Sequence, residues 1–156
     1  MTVAVRPATP GDLAAVRALA AAFDRHRRAP ADEPAEEFRA RYDRLLGRDD
    51  WLLAVADDGT GDLAGYALAQ DYGPALRRGF STGRLHDLYV AEPRRRRGVG
   101  RTLVDAVLAW CAGRPAPMIL DWQARLDAVP FYAALGLTPD TVGDHAEFPA
   151  FSVDLR

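Results

Sequence analysis

Between Leu88 and Val107 the sequence reads LYVAEPRRRRGVGRTLVDAV, four consecutive arginines set directly against a Gly-x-Gly. The order is strand, arginine-rich turn, glycines, amphipathic helix, and each part has a physical use. The first turn of a helix leaves backbone N–H groups without intrahelical partners, and the aligned peptide dipoles add positive potential there. Glycine at 98 and 100 removes side chains that would hold an anion away from those N–H groups. Arginine brings planar, permanently charged donors to the same oxygens. A pyrophosphate is the natural guest. The plain alternative is a solvated turn at Arg94 to Arg97, with Gly98 merely opening the helix.

The identity of the pyrophosphate is narrowed by what surrounds the glycines. A Walker-type loop needs Gly-Lys-Ser/Thr, and Gly-Arg-Thr stands here. The dinucleotide fingerprint needs glycine at 103, where the chain has Leu103. Asp121, at the end of the next strand, sits about where a ribose-binding acid belongs. Even so, seven residues separate Val90 from Gly98, whereas that fingerprint turns at once. Too little chain follows to complete a doubly wound sheet.

The elements that must position this turn are legible from periodicity. Thr2 to Arg6 reads as a first strand. A helix follows, opened by Thr9, Pro10 and Asp12 and carrying Leu13, Val16, Leu19, Ala20 and Phe23 on one face. A breaker-rich loop, RHRRAPADEP, leads to a second helix at Ala35 to Leu46 with Phe38, Tyr42 and Leu45 as its apolar stripe. Trp51 to Ala56 and Leu63 to Ala69 read as a hairpin around the turn residues Asp57 to Asp62. Pro74 to Gly83 reads as a polar connection and Arg84 to Val90 as a strand. Gly98 to Ala112 is a helix with Val99, Leu103, Val107 and Trp110 inward, stopped by Gly113 and Pro115. A strand at Met118 to Trp122, a helix at Ala128 to Leu135 and a strand at Phe148 to Leu155 complete a β-α-α-β-β-β-α-β-α-β order. That order predicts an α/β protein with one mixed sheet and helices on its faces.

Composition excludes several classes. The chain has 156 residues, net charge -2 and a pI near 5.9, against a nucleic-acid binder working through bulk charge. All 20 basic residues are arginine, which removes Schiff-base chemistry and any lysine-dependent phosphate loop. Cys111 is the single cysteine, so no internal disulfide forms and a reducing compartment is the simplest expectation. The opening MTVAVRPATP lacks a signal-peptide layout, and no apolar run reaches the roughly 18 residues of a spanning helix. These features predict a soluble, cytoplasmic domain spanning residues 1–156, with no nucleic-acid or membrane partner.

Three segments together resemble the GNAT superfamily of acyl-CoA N-acyltransferases. Arg95-Arg96-Arg97-Gly98-Val99-Gly100 is similar to its Q/R-x-x-G-x-G/A motif, with LYVAEP as the preceding strand. AVPFYAALGL, Ala128 to Leu137, resembles its A-x-x-F-Y-x-x-L-G-F segment, and VRPATPGDLAAV resembles its usual start. The resemblance implies a GNAT fold: a mixed, mostly antiparallel sheet of six to seven strands with splayed central strands and about four helices. It also implies acetyl-CoA as co-substrate, no metal, and a small-molecule primary amine as acceptor, with a homodimer as a possible assembly.

Residue by residue, the resemblance puts the pantetheine arm of coenzyme A along Leu88, Tyr89 and Val90. The pyrophosphate falls on the N–H groups of Arg96, Arg97, Gly98, Val99, Gly100 and Arg101, with Arg95 as the Q/R residue. Tyr132 takes the place of the tyrosine that protonates the departing thiolate, a role a phenol can fill. Arg125 stands where the family usually has a cofactor-touching asparagine. An acceptor amine must lose a proton before attacking a thioester. LHDLYV offers His86 and Asp87, on opposite faces of the strand, as base or water-organiser. His86 aligns with the acid of diamine- and thialysine-type acetyltransferases, and histidine titrates in the useful range. Acceptor recognition is expected from the first two helices, their loop and the connection at Asp71 to Gly83, with Asp24, Asp32, Glu33, Glu36 and Glu37 as acidic candidates. A non-catalytic acyl-CoA sensor of the same fold, and an acetyltransferase for protein amines, remain as alternatives.

Overall fold

The apolar runs assemble into one sheet of six strands among the described residues, which are 3–26, 33–140 and 149–156 of a computed structural model. The strands β1 (Ala4–Pro7), β2 (Trp51–Asp57), β3 (Leu63–Pro74), β4 (Ser81–Val90), β5 (Met118–Gln123) and β6 (Ala150–Asp154) lie side by side in chain order. Every neighbouring pair is antiparallel except β4 and β5, which run parallel. A parallel pair requires a crossover, and the helix that supplies it is α3 (Val99–Ala112). The other helices are α1 (Leu13–His26), α2 (Ala35–Leu46) and a short α4 (Val129–Ala134).

Alternation along the strands divides the core into two layers. Leu53 and Val55 of β2 face α1 and α2, meeting Val16, Leu19 and Tyr42. Ala54 and Ala56 face the other way, toward Leu103, Val107 and Cys111 of α3 and Trp122 and Phe151 of the far strands. The alanines of β2 and β3 are small because α3 lies close upon them. Cys111 is buried where the 3.6-residue period was expected to place Trp110. Trp110 is instead half-buried, with the Arg114 guanidinium 5.1 Å over its ring.

Three strand boundaries differ from the sequence reading. β1 begins at Ala4, and Thr2 lies outside the described residues. β3 and β4 extend into the segment read as a polar connection, so the true link is short. Pairing explains the extension: Pro74 still faces Ser81 across the ladder, and buried Asp71 accepts from the Ser81 hydroxyl and from Arg114 at 2.8 Å. β6 starts at Ala150, and Phe148 lies outside the described residues.

The start of α1 is built as its sequence suggests, through one 3-10 turn at Pro10–Asp12. Asp12 Oδ2 accepts from the Thr9 N–H at 2.7 Å and from its hydroxyl at 2.8 Å, and Arg6 grips the same carboxylate at 2.8 and 3.0 Å. The Tyr42 hydroxyl donates to the Thr9 carbonyl at 2.6 Å, tying α2 to the cap. Arg6 holds the Asp12 carboxyl well below the usual aspartate range, with the Thr9 donors adding to the effect and burial opposing it. A depressed carboxyl contributes stability above its unfolded pKa and loses it as pH falls. Asp12→Asn is therefore expected to destabilise the fold at pH 7 by about 1–2 kcal/mol, the low end of charged hydrogen bonds because Arg6 is partly exposed. Urea melts of the two proteins should converge as pH drops below the ordinary value of 3.8.

Candidate active site

The parallel pair β4–β5 is joined only at its first half. Ser81 faces Met118 and Arg84 faces Asp121, after which β4 runs on to Val90 and β5 to Gln123 without further pairing. Between the diverging strands and α4 lies a cavity of about 1160 Å3. Its walls bring together Leu88, Tyr89 and Val90 from β4, Gly98 to Arg101 from the turn and α3, Arg125 beyond β5, and Tyr132 from α4. His86 and Asp87 also line it, while Arg97 does not.

The arginine turn is held by its own side chains. Arg94 pairs with the buried carboxylate of Asp58 at 2.6 Å and is itself largely covered, so the run is not a plain solvated turn. Arg95 donates through Nε to the Val90 carbonyl at 3.0 Å, and its guanidinium lies 5.7 Å from the Tyr89 ring centroid. Arg96 takes a left-handed φ of 60°, a conformation that most residues with a side chain avoid. Gly98 at φ 80° then opens α3. Arg101 reaches across to the Ala134 carbonyl at 3.1 Å, joining α3 to the end of α4. The arginine left to reach a bound anion from the cavity wall is chiefly Arg96.

The two glycines have different reasons to be glycine. Gly98 is required by its backbone angle, with open space where a Cβ would stand. Gly100 is required by packing, since a Cβ there would lie 2.9 Å from the Phe131 ring. Phe131 on Gly100 is thus the contact that sets α4 against the start of α3. Tyr132, next in sequence, is 5% exposed and packs on Trp122 and Phe151 with ring centroids 5.3 and 4.9 Å away. Burial pushes its phenol up to about 12, so it stays protonated throughout the physiological range. Trp122 Nε1 lies buried beside it and forms no hydrogen bond of ordinary geometry.

His86 and Asp87 do not stand on opposite faces. Leu68 of β3 faces Asp87 while Ala69 faces Leu85, so β4 bulges at His86. A bulge advances the alternation by one residue, and both side chains therefore turn toward the α1–α2 side. Asp87 accepts from the Tyr66 hydroxyl at 3.2 Å. The His86 ring stacks on Trp51 at 5.0 Å and contacts Gln70 Oε1 through Nε2 at 3.1 Å. Its outer side is exposed, and the partial burial under Trp51 draws its pKa below the ordinary imidazole value, with Asp87 opposing and Arg84 adding to the effect. Arg125 is engaged with Asp127 at 3.2 Å at the cavity mouth.

A second cavity, of about 770 Å3, opens between α1, α2 and the same sheet face. Asp24 and Glu33 line it, Glu33 paired with Arg41, and Asp87 and Phe23 border both cavities. Glu36 and Glu37 are exposed on α2, and Asp32 lies outside the described residues. Asp58, Trp51, Gln70 and Phe23 were not legible as site residues, because each reaches the site through long-range pairing or packing. No helix among the described residues is long and apolar enough to cross a membrane.

Comparison with known proteins agrees with this geometry. The model of the Acetyltransferase (GNAT) family matches residues 16–137. Glucosamine-6-phosphate N-acetyltransferase from Arabidopsis thaliana superposes with a TM-score of 0.76 at 19% identity, over 93% of this chain and 97% of its own. A transcriptional regulator from Bacillus halodurans C-125 gives 0.76 at 22% identity, over 92% and 98%. A phosphinothricin acetyltransferase from Sinorhizobium meliloti, solved with AcCoA, gives 0.71 at 19% identity, over 99% and 89%. No curated protein matches the chain. The chain belongs to the GNAT acetyltransferase family, whose members use acetyl-CoA, and it has that family's α/β fold.

Gly100→Ala should separate the packing of α4 from the rest of the fold. The added methyl must displace Phe131, and overpacking of this kind costs about 1–3 kcal/mol. The variant is expected to melt at lower temperature and to show an altered Tyr132 environment by near-ultraviolet circular dichroism. An unchanged spectrum and melt would contradict the contact.

Proposed function

We propose that this acetyltransferase transfers an acetyl group to a primary amine of a small molecule by direct attack in a ternary complex. The observation that carries the reading is the single cavity on which the arginine turn, the unpaired end of β4 and the buried phenol of Tyr132 converge. Its donor set suits an elongated anion-tailed ligand. The unpaired half of β4 offers backbone groups to an extended arm, the α3 N-terminus offers N–H groups, and Arg96 offers charge. Acetyl-CoA supplies the activated thioester.

Each protein group then has one task. Leu88, Tyr89 and Val90 hold the pantetheine arm, and the N–H groups of Arg96 and of Gly98 to Arg101 hold the pyrophosphate, with Arg95 fixing the turn and Arg97 outside the cavity. Arg125, in place of the usual asparagine, offers its exposed guanidinium at the mouth. Backbone N–H near Leu88 donates to the carbonyl oxygen as charge gathers there. Tyr132, protonated at every relevant pH, gives its proton to the departing sulfur.

The acceptor enters from the second cavity, and Asp87 at the junction orients its ammonium. His86, exposed and depressed in pKa, takes the proton that the amine must release. Asp24 and Asp87 offer carboxylates to a cationic acceptor among the arginines of the same cavity, and the alignment of His86 with the acid of diamine- and thialysine-type acetyltransferases is the basis for placing the enzyme nearest to them. Asp87 and the cavity volume suit a small molecule in preference to a folded protein.

The test is the pH dependence of kcat/KM, measured by thiol release over an amine panel, for the parent protein and Tyr132→Phe. The acid limb should fall at a pH below the ordinary imidazole value, because the base acts unprotonated and its pKa is depressed. Tyr132→Phe should lower kcat on the order of a hundredfold with the affinity for coenzyme A unchanged. Unchanged turnover removes Tyr132 from the reaction, and absence of thiol release with every amine rules out the amine acetyltransferase reading.

A further inference from the structure

Asp58 lies in the turn between β2 and β3, remote in sequence from the arginine run. Its carboxylate is 0% exposed. Oδ1 accepts from the Thr60 N–H at 3.0 Å and from the Thr60 hydroxyl. Oδ2 has no hydrogen bond of ordinary geometry and faces one cation, Nη2 of Arg94 at 2.6 Å. A carboxylate removed from water in this way requires its countercharge, and losing the partner leaves a buried charge uncompensated. The pair is therefore far more constraining than a surface ion pair.

What it constrains is the start of the anion turn. Arg94 closes the 3-10 turn Glu92–Arg94 through its N–H on the Ala91 carbonyl at 2.8 Å, and the Ala91 N–H is pinned to the Ala64 carbonyl of β3 at 2.9 Å. One backbone bond and one ion pair thus lash the turn to the β2–β3 hairpin. Two residues later Arg96 holds φ 60°, a left-handed angle that persists only where the surroundings enforce it. Arg94 itself lines the large cavity. If freed, it could swing over the α3 N-terminus and let the turn relax.

We propose that Asp58 is a positioning residue for the pyrophosphate site, acting through Arg94 to hold Arg96 and the α3 N-terminus in the arrangement that receives the anion. This rests on the reading of the cavity as the acetyl-CoA site. Asp58 touches no part of the bound ligand. Its effect is confined to ligands that carry the pyrophosphate.

Calorimetric titration with coenzyme A and with pantetheine, which lacks phosphate, tests the assignment in the parent, Asp58→Asn, Arg94→Gln and the double variant. Each single variant is expected to weaken coenzyme A about tenfold, a coupling of about 1.4 kcal/mol, and to leave pantetheine binding unchanged. The double variant should be no weaker than either single one, because both act through the same contact. Arg94→Gln changes a partly exposed residue, so the proposal remains testable if Asp58→Asn does not fold. Unchanged or tighter binding of coenzyme A, additive losses in the double variant, or an equal loss for pantetheine would each overturn it. A parent protein that binds coenzyme A no better than pantetheine would instead overturn the placement of the pyrophosphate, a separate failure.

Discussion

The site depends on β4 and β5 ceasing to pair after Arg84 and Asp121. A parallel ladder continued to Val90 would close the sheet and leave no cavity. The crossover through α3 joins the two strands, and α4 packs its Phe131 against Gly100 of α3 and its Tyr132 against Trp122 of β5. The separation also leaves the far half of β4 without a strand partner on that edge. Backbone polar groups away from water demand partners, so an extended ligand lying along β4 answers a requirement that the divergence creates.

Charge is apportioned within this frame. The four arginines do not act as one basic patch. Arg94 is neutralised by a buried carboxylate, Arg95 is turned back onto its own strand, Arg96 lines the cavity, and Arg97 stands outside it. In an acidic chain the turn thus combines two arginines engaged in holding its shape with the positive potential of the helix terminus. On the opposite side of β4, the carboxylate of Asp87 lies in a second cavity that Asp24, Glu33, Arg17, Arg25 and Arg41 also line. The bulge at His86 turns both the histidine and the aspartate toward that face of the sheet.

Local features of this arrangement were legible in the sequence. The arginine turn, the glycines, the helix caps and the apolar stripes depend on residues within a few positions of one another, and α2 spans the residues that its periodicity indicates. The element order followed as well. Long-range features were not legible. Alternation placed His86 and Asp87 on opposite faces, and only pairing with β3 reveals the extra residue that puts them on one. Asp58 carries no signal of its relation to Arg94, because the hairpin turn meets the anion turn only after β2, β3 and β4 have stacked. Gly100 looked like room for a phosphate, whereas Phe131 needs the same room. Cys111 joins the core beside Trp110, which packs against the same cluster with its other face under the Arg114 guanidinium.

The central claim is that coenzyme A lies in the gap between β4 and β5, with its pyrophosphate on the start of α3. Titration of the isotope-labelled protein with coenzyme A, followed through backbone amide resonances, tests it directly. The account predicts the largest shifts at Leu85 to Val90 and at Gly98 to Thr102, with β1 and α2 nearly unmoved. No saturable shifts, or shifts centred on the cavity beneath α1 and α2, would contradict it.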